Sequence, residues 1–153
     1  MANIPLDYKS PYLHVQPSKS WLVGFIEAEG SFHIIERRSR NTLEHGFNVT
    51  QKRDMLVLEH IRTMLKISDN IYDGSSSNTK SIIATRRYDN LIFISKYFNN
   101  TMVGVKHDEF CLWRDSLYYD RGNHNKLRAI RQIMRDMRNK HKRIFDSEID
   151  IIL

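Results

Sequence analysis

The hydrophobic period of this chain changes abruptly at one glycine. In "WLVGFIEAEGSF", Trp21, Leu22, Phe25 and Ile26 recur at helical spacing; beyond Gly30 the spacing drops to two, with Phe32 and Ile34 alternating against His33, Ile35 and Arg37. A helix is therefore expected to about Glu29, capped at its start by Ser18 or Ser20 and ended by Gly30 in the left-handed conformation. Its last turn is acidic. Glu27 and Glu29 stand at the negative end of the helix dipole, where a carboxylate is disfavoured by roughly 0.3–1 kcal/mol. A compensating positive partner is expected nearby.

The segments that follow repeat the theme of helix and hairpin. "RRSRNTLEHG" reads as a hairpin loop and "FNVTQK" as the return strand, with Phe47, Val49 and Gln51 on one face and Asn48, Thr50 and Lys52 on the other. Met55, Leu58, Ile61 and Leu65 predict an amphipathic helix over about 54–66. "NIYDGSSSNTKSIIATRR" predicts a second hairpin, 91–98 a short helix, and "VKHDEFCLWRDSLYY" a helix with Phe110, Trp113 and Leu117 facing in. Antiparallel pairs alternating with helices place the chain in the α+β class. A length of 153 residues suits one domain. We expect a proline-punctuated, extended lead-in over 1–17 and a single domain over 18–153, with its core at about 18–119 and a basic helical tail at about 120–143.

Charge is concentrated in that tail. Residues 121–143 carry nine Lys or Arg against one acid, Asp136, whereas the rest of the chain has 15 basic and 17 acidic residues. Leu127, Ile130, Met134 and Met137 form an apolar stripe there, with Arg128, Arg131, Arg135, Arg138 and Lys142 beside it. A helix packed on the domain is expected, its basic flank either solvated or contacting phosphates. Clustered positive charge points to a polyanionic partner. The single cysteine, Cys111, excludes an intrachain disulfide and a cysteine-based zinc cluster. No apolar stretch approaches the roughly 20 residues of a membrane span, and "MANIPLDYKSPYLHV" lacks the apolar segment of a secretory signal, so no membrane partner is expected.

Gly24 and Ala28 are four apart and nearly free of side chain, which lets two helix backbones approach closely. Two copies packed along them would juxtapose two Glu29 carboxylates. Such a pair is tolerable when bridged by hard divalent cations such as Mg²⁺, which would also compensate the helix dipole.

"LVGFIEAEG", Leu22 to Gly30, followed by "SF" entering a strand, resembles the LAGLIDADG motif of homing endonucleases. The resemblance covers roughly 18–119 and implies an αββαββα core with further helices, whose antiparallel hairpins form a DNA-binding saddle. It implies that motif helices of two units pack together through Val23, Gly24 and Ala28. It gives Glu29 and the Ala28 carbonyl as ligands of Mg²⁺, with Mn²⁺ as a substitute, and Glu27 as an acidic residue serving the helix. It assigns Gln51 to orienting the attacking water and Lys106, in "GVKHDEF", to the scissile phosphate. On the saddle, His33, Ile35, Arg37 and Ser39 and, from the next strand, Asn48, Thr50 and Lys52 become base readers, each good bidentate pair being worth roughly 1–3 kcal/mol. Arg38, Arg40, Arg53, Lys80, Arg86 and Arg87 are expected to hold phosphates or bases.

Val23 stands where a smaller alanine is usual in the family, and glutamate replaces aspartate at both acidic positions, keeping charge and ligand type. Only one motif is present, so the resemblance implies a homodimer on a palindromic or near-palindromic double-stranded DNA target; half of a two-motif protein would look similar. The expected function is metal-dependent double-strand cleavage. The alternative is an intron maturase that binds RNA to assist group I splicing. A transcriptional regulator on the same scaffold would usually show a separate DNA-binding segment. Membership also implies a mobile, intron-encoded gene in a mitochondrion or chloroplast, though a free-standing or bacterial source fits the residues equally.

Overall fold

In the computed structural model, the described residues are 17–52, 54–73 and 80–152, without the side chains of 73, 80 and 145–152. Most of the lead-in, Arg53, the turn of the second hairpin and the Lys80 side chain therefore lie outside them.

Helix α1 spans Lys19–Glu29, and the Ser18 hydroxyl accepts from the Trp21 amide at 3.1 Å to cap it. Strand β1 (Gly30–Arg37) follows at once. Gly30 is not left-handed as the sequence suggested: its φ of −76° and ψ of 152° are extended. The glycine is needed for a steric reason instead. A Cβ at Gly30 would lie 2.5 Å from Ile26 Cγ2 and 2.8 Å from the Ile26 carbonyl oxygen, so only a bare α-carbon lets the strand leave so close to the helix.

Strand β2 spans Thr42–Lys52 and pairs antiparallel with β1 from Gly30↔Val49 to Arg37↔Thr42. The expected ten-residue loop is thus a turn of four, 38–41, with Asn41 at φ 50°. Leu43 and His45 extend the buried face of Phe47 and Val49, and this alternation continues the strand to Thr42. Ser39, expected on the face of His33, lies in that turn and on no strand face. After α2 (Met55–Met64) come β3 (Tyr72–Asp73) and β4 (Lys80–Thr85), then α3 (Tyr88–Tyr97), α4 (Lys106–Tyr119) and α5 (His124–Ile152). The sheet order is β1-β2-β4-β3, all antiparallel, which is the α+β arrangement of two hairpins between helices.

The core lies between one face of the sheet and the helices. Phe32 is its centre, with ring centroids 5.1 Å from both Phe110 and Trp113 and 5.3 Å from Phe47. Leu22 and Ile26, Leu58 and Ile61, Leu91 and Ile94, and Leu127 and Met134 complete it from α1, α2, α3 and α5. The buried polar pair His45 and Ser116 is satisfied. Ser116 donates to the Trp113 carbonyl, so its 2.8 Å contact with His45 Nε2 has the imidazole as donor. No helix among the described residues is long and apolar enough to cross a membrane.

The tail helix resolves the choice left by its basic flank in a third way. β1 is an edge strand, and its outward carbonyls are taken by arginines of α5: Arg131 Nε donates to Ile34 O at 3.0 Å and Arg138 to Phe32 O at 2.7 Å. Arg131 and Arg128 also pair with Glu36, and Arg138 with the buried Glu109 at 2.9 Å. These arginines cover a sheet edge. The helix also runs past the expected 143.

Candidate functional site

One end of the domain gathers the side chains expected to be catalytic. α1 delivers Glu29 to the point where β1 begins. Gly30 pairs with Val49, so Gln51, two residues further along β2, stands at the end of the sheet beside that helix terminus. Lys106 opens α4, and its ammonium donates to the Gly30 carbonyl. Burial pushes the Lys106 pKa below its ordinary value; Glu109, Glu29 and Glu27 oppose the shift and Arg138 adds to it.

The two glutamates of the motif have different surroundings. Glu27 Oε1 accepts from the backbone amides of Val103 and Gly104, at 2.6 and 3.0 Å, just ahead of α4. Backbone donors and the Lys106 charge therefore supply within the chain the positive partner that the acidic helix end requires, and the dipole by itself calls for no cation. Glu29 is exposed and makes no hydrogen bond or salt bridge with the described residues. The Ala28 carbonyl is one of the last four of α1, which have no acceptor role inside the helix. An unengaged carboxylate and a helix-end carbonyl are oxygen donors of the kind hard divalent ions take. Among the described residues no three or more His, Cys, Asp or Glu side chains group as a metal site.

The motif helix keeps a bare face. Gly24 and Ala28 are exposed, and a Cβ at Gly24 would meet nothing within 4 Å. Val23 is half-buried against the core of its own domain, and Trp21 stacks on Phe25 at 5.1 Å.

Most of the motif helix and both hairpins lie within a segment that matches a known family. A family model described as LAGLIDADG endonuclease matches residues 22–117. The chain belongs to the LAGLIDADG endonuclease family. A probable intron-encoded endonuclease of Schizosaccharomyces pombe, Cox1-I1b, is 38% identical over 132 residues, 82% of this chain and 33% of that protein. A probable intron-encoded endonuclease of Dictyostelium citrinum, aI3, is 29% identical over 59% of this chain and 35% of its own length. The chain thus spans about a third of the curated relatives it matches. Among solved structures, the archaeal intron-encoded homing endonuclease I-Vdi141I in complex with DNA superposes with a TM-score of 0.68 at 24% identity, over 78% of this chain and 82% of that one. The homing endonuclease I-TnaI gives 0.68 at 19% identity, over 82% and 99%. The meganuclease I-AabMI bound to uncleaved DNA gives 0.65 at 23%, over 74% and 43%. One LAGLIDADG fold unit accounts for almost all of one neighbour and under half of another.

The face of the sheet away from the helices carries the residues expected to read DNA. His33, Ile35 and Arg37 stand on β1 and Asn48, Thr50 and Lys52 on β2; Arg38 and Arg40 are exposed in the turn, and Arg86 and Arg87 are exposed just past β4. His33 lies across Gly46, where a Cβ would meet its Nε2 at 2.4 Å, and burial, with Arg138 contributing, holds its pKa below the ordinary value. Arg37 is tied to Glu44 at 3.0 Å. Glu44 and Ser31 escaped the sequence reading, which placed Arg135 only in a basic flank either solvated or contacting phosphates. Arg135 lines a hollow of about 340 Å³ with Ser31, His33, Ile35 and Asn48. Alternation over 42–45 could have flagged Glu44, but nothing local shows that α5 overhangs this face.

Proposed function

We propose that the chain is one unit of a site-specific DNA endonuclease that makes double-strand breaks with a divalent cation, Mg²⁺ or, as a substitute, Mn²⁺. The observation that carries this reading is the convergence at the end of α1: an unengaged Glu29, Lys106 held on the Gly30 carbonyl, and Gln51 at the adjoining strand end. Two units packed along Gly24 and Ala28, with Val23 at the margin, bring two Glu29 carboxylates together, with the Ala28 carbonyls beside them. A homodimer on a palindromic or pseudo-palindromic target meets this need with one chain; two motifs in one longer chain meet it equally.

A divalent ion bound there supplies Lewis acidity towards the attacking water and the leaving oxygen. Gln51 orders solvent at the strand end. Lys106 offsets charge developing on the phosphate, in surroundings already partly desolvated. His33, Ile35, Asn48, Thr50 and Lys52 face the major groove, with Arg37, Arg38, Ser39 and Arg87 towards the outer end. The intron-encoded relatives support an organellar mobile element as the source.

The deciding experiment is cleavage of a plasmid library of randomised targets by wild type and Glu29→Gln, in Mg²⁺ and in Ca²⁺. Magnesium-dependent double-strand cuts that the variant loses support the reading, and the symmetry of the recovered site reports on pairing. Binding without cutting in either metal overturns it and leaves the maturase alternative, to be tested by RNA splicing.

A further inference from the structure

A second basic site lies at the other end of β2. β4 pairs with β2 only from Phe47 onward, so Thr42–Gly46 have a partner strand on the β1 side alone. Beside this open stretch is a cavity of about 440 Å³, lined by Arg40, Arg86 and Arg121, with Tyr88, His124 and Thr42. Nine residues of strand separate Thr42 from Gln51, about 30 Å at the usual rise. The cavity is therefore remote from the Glu29 end.

Among the described residues no salt bridge balances its charge. Arg40 and Arg86 make no salt bridge with the described residues, and Arg121 has only the face of Tyr88, 4.0 Å from its ring centroid. Of the acids near it, Glu44, in the lining, pairs with Arg37 and Asp120 with Lys126 at 2.6 Å, while Asp69 borders Arg86 in an adjoining hollow without forming a salt bridge. His124 Nδ1 accepts from the Leu43 amide at 3.1 Å, which leaves the ring proton on Nε2 and makes the imidazole a further donor. The Thr42 hydroxyl is shut from solvent without a partner among the described residues. Three guanidiniums held around one hollow repel one another until an anion enters, and their planar forks suit phosphate oxygens. Burial lowers the pKa of the neighbouring His45 to about 4, with Arg121 adding to the shift and Asp120 opposing it.

We propose that this cavity is a phosphate site for a nucleic-acid strand, built on Arg40, Arg86 and Arg121 and separate from the base-reading face. The strand is either the outer flank of the duplex that lies along the sheet or a second nucleic acid, an RNA. The site stands whether or not the chain cuts DNA.

The test follows the arginine Nε–Hε signals of the full chain by nuclear magnetic resonance during titration with inorganic phosphate, ionic strength being held with chloride. Saturable shifts of Arg40, Arg86 and Arg121, weakened about tenfold in Arg121→Gln and in Arg86→Gln, are expected. A short DNA duplex and an RNA hairpin then separate the sources. The duplex moves these signals together with the Asn48 side-chain amide if the strand is the DNA flank; RNA moves them without Asn48 if it is a second nucleic acid. Arginine signals unmoved by all three probes, or affinities unchanged in both variants with otherwise native spectra, overturn the proposal.

Discussion

Lys106, the first residue of α4, donates its ammonium to the carbonyl of Gly30, the residue at which α1 becomes β1. The contact locks together the three elements that build the active end. Because burial depresses the lysine pKa, the unfolded chain holds a proton that the native state gives up in the window between the depressed value and 10.5. Stability of the wild type should therefore rise with pH across that window relative to Lys106→Met, as read from urea midpoints of both proteins between pH 7.5 and about 10. Cleavage by the variant should fall by about 10²-fold or more. A flat difference in midpoint would contradict the burial argument, and undiminished cutting would contradict the role.

Glu27 and Glu29 are two residues apart and should fail in opposite ways. Glu27→Ala loses two charge-assisted bonds to backbone amides and should cost about 1–2 kcal/mol of stability. Glu29→Gln touches no described partner and should stay within about 0.5 kcal/mol of wild type while losing cleavage. Denaturant unfolding beside a plasmid-nicking assay separates the two; a destabilised Glu29→Gln would mean that the carboxylate has a structural partner.

His45 makes the fold acid-sensitive. Its folded pKa is about 4 against an ordinary 6.5, so as pH falls through 6.5 the unfolded chain takes a proton that the native state refuses until about 4. Stability should drop across this window by on the order of 3 kcal/mol. His45→Gln keeps a donor for Ser116 and should remove most of that slope. The check is the urea midpoint of each protein from pH 7 to 4.5.

Arg138 and Arg135 are neighbours on α5 with different duties. Arg138→Met uncovers the Phe32 carbonyl and strands the buried Glu109, which should cost about 2 kcal/mol. Arg135→Ala should leave stability within about 0.5 kcal/mol and, if the hollow beside His33 and Asn48 meets DNA, reduce the salt dependence of binding by about one phosphate contact. Equal melting points for the two variants would show that the Arg138 contacts carry no weight.

What the sequence disclosed depends on how local the cause is. Helix α1, the change of period at Gly30 and the core faces of Phe32, Phe47 and Trp113 follow from spacing within a few residues, and the motif resemblance supplied the family. The beginning of β2 did not, because Glu44, His45 and Gly46 look like a polar loop until His45 meets Ser116, 71 residues away. The conformation of Gly30 was misjudged since its constraint is contact with Ile26, which a turn rule does not see. The duty of the basic stripe was undecidable for the same reason: Arg131 and Arg138 answer to carbonyls about a hundred residues earlier.

The strap of arginines along β1 has a bearing on assembly. A strand of another molecule could extend this sheet at β1 only after displacing Arg131 and Arg138 from the carbonyls they hold, and β3, the opposite border, spans two of the described residues. Shared backbone ladders are thereby discouraged at both margins. A companion chain is therefore left to meet the helices rather than the sheet, so its identity can drift by point mutation while the sheet itself stays unaltered.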